Sequence, residues 1–354
     1  MKALEDAFVD ASGVPHAVAL NSCTAGLHLG LLAMGVGPGD EVVMPSLTFV
    51  AGAQCAREIG AIPVFADVDE RTLTVTAETV AAVTTDRTRC IMPMHYAGRP
   101  APVDEIVAFA RPRGIRVLED AAHSVGMLSR GQWAGARSDG AAYSFYPTKN
   151  ITSGEGGLLL THDAEIAARV RRLSLHGMSR DAWKRYTAGG GWRYDVVELG
   201  YKYNLPDLGA ALAVAQFERL EGLQTEREEL ARLYLDRLGA IPGVSPITDF
   251  VEAPDRHSWC MFVVRVDPER AGIDRDALID EFRAANVGTS VHYIPTHLFT
   301  AYKDLPANVP VTDRIWERIL SLPLYPGMSA SDVDDVMEVL ARVTNARSDA
   351  ANVA

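Results

Sequence analysis

The chain has 354 residues, of which 48% are hydrophobic and 23% are charged, and its formal net charge is -12. This composition is typical of a globular protein that can bury the core of a large domain and of a smaller one. The acidic balance argues against nucleic-acid or anionic-membrane partners, and four scattered cysteines without a CxxC pair predict neither a zinc site nor a disulfide framework.

The first half of the chain alternates short apolar runs with helix-like segments, which is the pattern of βαβ units around a largely parallel sheet. Helices are predicted between the strands, for example at 27–34 and 103–110. The predicted strands lie at 17–20, 41–44, 62–66, 90–94, 116–119, 141–145 and 157–161. The sequence therefore predicts an α/β fold.

The second half continues with an amphipathic helix at 163–174, a loop-like segment at 186–204 and a long helix at 208–238. After this helix the pattern of predicted elements changes, and the remaining segment is predicted to form a smaller α+β unit. We therefore expect a large domain at 1–238 and a small C-terminal domain at 239–354. The elements predicted within the small domain are strands at 259–266 and 289–293 and helices at 275–285, 312–320 and 331–345.

Three polar features follow predicted strands of the large domain, where an open α/β sheet binds its ligands. The first is Asn21-Ser22-Cys23-Thr24-Ala25-Gly26, a strand-to-helix turn that offers backbone N–H groups and hydroxyls to an anion. Small polar residues at such a turn also serve as a helix N-cap. Taken alone, the turn does not distinguish the two roles.

The second feature is Glu119-Asp120 at the end of an apolar strand, followed by Ala121-Ala122-His123. A carboxylate at this position can face a ligand, and if that ligand is a pyridine ring, Asp120 can keep the ring nitrogen protonated. The alternative is an acid that caps the next helix.

The third feature is Lys149, which lies between an apolar strand and the turn Gly154-Glu155-Gly156-Gly157. A partly desolvated lysine suits a Schiff base, because desolvation lowers its pKa and frees the amine as a nucleophile. Most lysines in loops are merely solvated, so this feature too is ambiguous by itself.

In this order and spacing, the features resemble the DegT/DnrJ-type nucleotide-sugar aminotransferases, which are fold-type I pyridoxal-phosphate enzymes. The resemblance continues to the end of the chain. It rests on Cys23-Thr24-Ala25, Pro45-Ser46-Leu47-Thr48-Phe49, Glu119-Asp120-Ala121-Ala122-His123, Ser144-Phe145 with Lys149, Gly154-Glu155-Gly156-Gly157, Gly200-Tyr201-Lys202-Tyr203-Asn204-Leu205-Pro206-Asp207, His292-Tyr293-Ile294-Pro295 with His297, and Ser321-Leu322-Pro323-Leu324.

The resemblance implies that pyridoxal 5'-phosphate is the cofactor, that Lys149 holds it as a Schiff base and that Asp120 pairs with its ring nitrogen. Phe49 would stack on the ring, with His123 near its hydroxyl side. The phosphate would be held by backbone N–H groups of Thr24 and Ala25, by the Ser144 hydroxyl, and by Asn204 from the partner subunit of a homodimer. His292 and His297 would contact the substrate.

The same resemblance implies amino transfer from L-glutamate to a nucleotide-linked 4-keto sugar, leaving 2-oxoglutarate. His176-Gly177 with Asp181-Ala182-Trp183 is similar to the subfamily of UDP-4-amino-4-deoxy-L-arabinose:oxoglutarate aminotransferases, which favours a UDP-linked keto pentose. Relatives carry a further segment ahead of the point where this chain begins, and we expect that segment to form part of the sugar pocket. No signal peptide or membrane span is evident, so a cytoplasmic location is expected.

Three other functions fit the sequence less well. Sugar dehydratases of the same family replace the Schiff-base lysine by histidine, whereas this chain has Lys149. A regulatory protein that keeps the fold without catalysis is the second alternative. A nicotinamide-dependent oxidoreductase is the third, but no GxGxxG turn follows the first strand.

Overall fold

The computed structural model of the protein describes residues 1–179, 194–247 and 249–351, with side chains as far as 344. Its larger sheet contains seven strands in the order β1-β7-β6-β5-β4-β2-β3. These strands are β1 His16–Leu20, β2 Glu41–Pro45, β3 Ile62–Ala66, β4 Thr88–Ile91, β5 Arg116–Ala121, β6 Gly140–Ser144 and β7 Gly157–Thr161.

Neighbouring strands of this sheet are parallel from β3 through β2, β4 and β5 to β6. Strand β7 runs antiparallel to both of its neighbours, β6 and β1. The predicted α/β fold with a mainly parallel sheet is therefore confirmed. The helices associated with this part of the chain are α1 Lys2–Ser12, α2 Cys23–Ala33, α3 Ala51–Glu58, α4 Ala77–Ala81, α5 Val103–Ala110 and α6 Ala164–Leu173.

Helix α2 is buried over most of its length because its residues are almost all small or apolar. It lies against β5, β6 and β7. A side chain at Gly26 would place its Cβ 3.0 Å from the Cβ of Ala142 on β6, so glycine permits this close approach. The approach brings the N-terminus of α2 to the edge of the sheet where β5 and β6 end.

A second sheet, of three antiparallel strands in the order β10-β9-β8, belongs to the C-terminal part of the chain. Its strands are β8 Val244–Pro246, β9 Phe262–Val266 and β10 Ile319–Leu322. The α-helices in the described remainder of the chain are Asp207–Phe217, Leu220–Leu238, Pro268–Ala271, Arg275–Ala284, Pro310–Ile315 and Ala330–Ala351. The division into domains at residue 238 stays a prediction.

Three sequence predictions for this second part are wrong. The long helix at 208–238 is two helices that are interrupted between Phe217 and Leu220. The strand at 289–293 is absent from the described fold, and only one isolated bridge joins Ser290 to Ser321. The α-helix predicted at 312–320 ends at Ile315, continues as one 3-10 turn at Trp316–Arg318, and gives way to the buried strand β10 at Ile319.

The structure, where it is described, contains no helix that is both long enough and apolar enough to span a bilayer. The four cysteines are buried and unpaired.

Candidate active site

A cavity of about 460 Å³ lies at the carboxyl edge of the large sheet. It brings together residues that are far apart in the sequence but were each predicted to belong to one site. The predicted residues that line it are Thr24, Phe49, Asp120, Ser144, Lys149 and His292.

The register of three adjacent strands assembles one end of this cavity. Gly157 on β7 pairs with Leu20 on β1 and with Ser144 on β6, so the Ser144 hydroxyl lies one strand away from the start of α2. A Cβ at Gly157 would lie 2.5 Å from the backbone nitrogen of Cys23 and closer still to the carbonyl carbon of Ser22. Glycine is therefore required for α2 to begin at this point.

The first turn of α2 has the geometry of an anion site. The N–H of Ala25 donates to the side chain of Ser22, the N-cap residue, at 3.1 Å. Within the described structure, the N–H groups of Cys23 and Thr24 have no such partner. Thr24 is thus available to a phosphate, whereas Ala25 already has a hydrogen bond that closes the turn.

Asp120 lies near the end of β5 and is 5% exposed. One carboxylate oxygen accepts the N–H of Ala122 at 3.0 Å, and the thiol of Cys23 lies 3.9 Å from the same oxygen. Burial raises the pKa of Asp120, while the Ala122 N–H and the Lys149 ammonium oppose that rise. A cationic ligand group beside this carboxylate would therefore be stabilised.

The preceding residue, Glu119, has a structural role that the sequence did not reveal. Its carboxylate accepts hydrogen bonds from Gly135 N–H at 2.7 Å and from the Ser138 hydroxyl at 2.5 Å. The other oxygen lies 2.7 Å from Nε2 of buried His95, whose Nδ1 accepts the N–H of Ala101. His95 therefore donates through Nε2, and the whole group fixes the end of β5. Successive side chains of a strand point to opposite faces, which separates Glu119 from Asp120.

Lys149 lies in a turn just after β6 and is half-buried. Its N–H donates to the carbonyl of Tyr146 at 3.0 Å, and the amide of Asn150 donates to the carbonyl of Ser258 at 2.6 Å. The first bond closes the turn, and the second attaches it to the C-terminal part of the chain. Lys149 and Asp120 thus reach one cavity from two different elements.

His123 is buried, and its Nε2 lies 2.9 Å from the hydroxyl of Tyr293. Burial, with the Lys149 charge next in importance, holds the pKa of His123 well below its usual range, so the imidazole is neutral. His123 lines an adjacent cavity instead of the first one. Tyr293, which was not predicted to act in the site, lines the first cavity beside Phe49, with their ring centroids 5.9 Å apart.

The two other candidate histidines have different surroundings. His292 lines the cavity, and its Nδ1 lies 2.8 Å from the Ser321 hydroxyl, while burial lowers its pKa to about 4. His297 does not line the cavity. Its Nδ1 lies 2.7 Å from the Ser46 hydroxyl and its Nε2 lies 3.1 Å from an Asp313 oxygen, so both ring nitrogens are already partnered.

Asn204 is also outside the cavity lining. Its backbone bridges Leu20, and its side chain accepts a hydrogen bond from Lys202. The prediction that it acts on a partner subunit's cofactor stays a prediction. Asp181 and Trp183, which entered the subfamily resemblance, lie outside the described residues, as does the first part of the predicted loop at 186–204.

The cavity fits pyridoxal phosphate in three ways. It offers a lysine amine, a buried carboxylate for a protonated ring nitrogen, and free helix N–H groups beside a hydroxyl for a phosphate. The described part of the chain contains no cluster of three or more His, Cys, Asp or Glu side chains suited to a metal ion. Together with the mainly parallel sheet, this arrangement defines a fold-type I pyridoxal-phosphate enzyme.

Comparison with known proteins identifies the family. Residues 1–341 match the model of the DegT/DnrJ/EryC1/StrS aminotransferase family, and the chain belongs to this family. It is similar to the spore coat polysaccharide biosynthesis protein SpsC of Bacillus subtilis, with 46% identity over 344 residues that cover 95% of this chain and 87% of SpsC.

Solved structures agree with this result. The chain is similar to the PLP-form of the putative sugar aminotransferase Spr1654 from Streptococcus pneumoniae, with a TM-score of 0.89 and 28% identity over 98% of this chain and 91% of the other. It is also similar to DesI in the presence of its TDP-sugar product, with a TM-score of 0.87 and 31% identity over 99% of this chain and 86% of DesI. The chain is thus a pyridoxal-phosphate-dependent sugar aminotransferase.

Proposed function

We propose that this enzyme transfers the amino group of L-glutamate to a nucleotide-linked 4-keto sugar, with a UDP-linked keto pentose as the favoured acceptor. The observation that carries the proposal is the single cavity that contains both Lys149 and Asp120. The sugar class is supported by the similarity to SpsC and to DesI, whose structure was determined with a TDP-sugar.

The bound cofactor supplies a ring that withdraws electrons from the substrate carbon. Asp120 keeps a proton on the ring nitrogen, because its buried carboxylate is stabilised by an adjacent positive charge. With the cofactor bound, the free amine of Lys149 would take a proton from the amino-bearing carbon of the substrate and deliver it to C4' of the cofactor, acting first as base and then as acid. Phe49, half-exposed at the cavity, would pack on the face of the ring.

Phosphate binding is assigned to the N–H of Thr24 and the hydroxyl of Ser144, with Ala25 closing the helix turn. His123, held neutral and bonded to Tyr293, is assigned to the hydroxyl side of the ring. His292 is assigned to the substrate. His297 contacts Ser46 and Asp313, so its part in substrate binding would be to hold the loop that carries His292.

We also propose a homodimer with active sites at the subunit interface. Leu199 and Leu208 are 92% and 88% exposed on the segments on either side of Asn204. Apolar side chains that are this exposed suggest a surface covered by another protein, here a second copy. Such a copy would bring Asn204 to the cofactor phosphate of its neighbour.

The test is to mix the cofactor-loaded protein and glutamate with UDP-, dTDP- and GDP-linked 4-keto sugars and to measure 2-oxoglutarate and the amino sugar. Lys149→Ala should form neither product, whereas Lys303→Ala, which replaces an exposed lysine, should form both. Product formation by Lys149→Ala, or no product from any keto sugar, would contradict the proposal. Product from the UDP sugars alone would support the favoured acceptor.

A further inference from the structure

A second cavity of about 650 Å³ adjoins the first and shares Thr148, Lys149 and His292 with it. Its wall contains two cations, Lys149 and Arg227, and among its described lining residues there is neither Asp nor Glu. The whole chain, in contrast, has 46 acidic residues against 34 lysines and arginines. The cavity is therefore a positively charged region of an acidic protein, which favours an anionic ligand.

Arg227 is the unusual member of this wall, because it is 4% exposed and has no acidic partner in the described structure. Its Nη1 donates to the carbonyls of Trp259 at 3.0 Å and Leu324 at 3.1 Å. Its Nε is buried without a partner, and no hydrogen bond of Nη2 is found among the described residues. Carbonyl groups orient a guanidinium but do not compensate its positive charge. A carboxylate would supply both a compensating negative charge and a hydrogen-bond acceptor.

Two further buried atoms in the same wall lack partners. Asn150 donates its amide hydrogen to the carbonyl of Ser258, which leaves Oδ1 without a donor. Nδ1 of His123 is also unpartnered. A wall that presents an unpaired cation and an unpaired amide oxygen matches a ligand that carries both a carboxylate and an ammonium group.

We infer that this second cavity receives the amino donor, and that Arg227 Nη2 binds a carboxylate of that amino acid. Lys149 lines both cavities, so a donor placed here lies next to the reacting lysine. The inference rests on the proposed aminotransfer, since it assigns the donor subsite of the same active centre.

The experiment uses glutarate, a dicarboxylate without an amino group, titrated calorimetrically into the cofactor-loaded protein. Ser290 lies at the exposed rim of the cavity, and none of its side-chain atoms forms a hydrogen bond in the described structure. Ser290→Glu should weaken glutarate binding by about tenfold or more through repulsion of like charges. The isosteric Ser290→Gln is the matched control, and its glutarate affinity should stay close to that of the unchanged protein.

Arg227→Gln should also weaken glutarate binding by at least about tenfold, because it removes a charged hydrogen-bond donor. If this variant fails to fold, the Ser290 pair decides, since neither of its members breaks the Arg227 contacts. Equal glutarate affinities in Ser290→Glu and Ser290→Gln would overturn the inference. So would loss of uridine 5'-diphosphate binding in Ser290→Glu with glutarate binding intact, because the cavity would then hold the diphosphate of the acceptor.

Glutarate binding requires neither a keto sugar nor turnover. The donor-subsite inference can therefore fail in this experiment while the protein still forms an amino sugar. Conversely, glutarate can bind as inferred in a protein that forms no amino sugar, so the two proposals are tested separately.

Discussion

Replacing Gly157 by alanine tests the packing that positions the first turn of α2, the proposed phosphate site. The new Cβ would lie 2.5 Å from the nitrogen of Cys23, about 1 Å inside an ordinary contact between nonbonded atoms. The atoms it meets belong to the backbone, and β7 has a partner strand on each side, so neither element can move alone. We expect a loss of about 3 kcal/mol in unfolding free energy, at the upper end of the cost of overpacking.

The same shift should displace the first turn of α2 from Ser144 and weaken binding of the cofactor by about tenfold or more. The assays are urea unfolding of the cofactor-free protein and a fluorescence titration with pyridoxal phosphate. The control is Gly222→Ala in the helix Leu220–Leu238, where a Cβ meets no atom within 4 Å and the helix should gain up to about 1 kcal/mol. If Gly157→Ala matched the unchanged protein in both assays, the close approach of β7 and α2 would be refuted.

Three further substitutions probe buried polar groups. Asp120→Asn should stabilise the cofactor-free protein at neutral pH, because burial raises the pKa of Asp120 and its ionisation therefore costs folding free energy above that pKa. It should also weaken cofactor binding by about tenfold or more, and a lower urea midpoint at pH 7.5 would contradict the first expectation. Glu119→Gln should cost about 2–4 kcal/mol in urea unfolding, since an amide cannot accept from Gly135, Ser138 and His95 together; a cost below about 0.5 kcal/mol would argue against this role. Burial lowers the pKa of His257 to about 3, so only the unfolded chain gains its proton as pH falls below about 6.5. When the pH falls from 7 to 5, the unfolding free energy of His257→Gln should therefore decrease by about 2 kcal/mol less than that of the unchanged protein. Equal decreases in the two proteins would show that His257 does not cause the acid destabilisation.

Asp120 and Lys149 could be placed at strand ends from the sequence alone, whereas their roles were implied only by the family resemblance. Asp120 and Lys149 each follow an apolar run, and parallel strands deliver their carboxyl ends to one edge of a sheet. The sequence also indicated the N-cap role of Ser22, whose hydroxyl accepts the N–H of Ala25.

The roles of Arg227 and Tyr293 were not predictable, because their partners are distant in the sequence. Arg227 lies in a helix of mixed polarity and meets carbonyls of Trp259 and Leu324, which only the folded C-terminal part brings near it. Tyr293 reaches His123 across the same junction. Local patterns also carried the helix predicted at 312–320 too far, because Ile319 and Leu320 at its end pair with β9 as part of a strand.

The most direct measurement of the central claim is the chemical identification of the lysine that carries the cofactor. Borohydride reduction of the pyridoxal-phosphate-loaded enzyme fixes the Schiff base, and digestion with mass spectrometry then locates the added mass. The structure predicts that the modified peptide contains Lys149, which alone among the lysines of the chain's described part lines the cavity with Asp120. A cofactor found on Lys2, Lys184, Lys202 or Lys303, or on no lysine at all, would contradict the account.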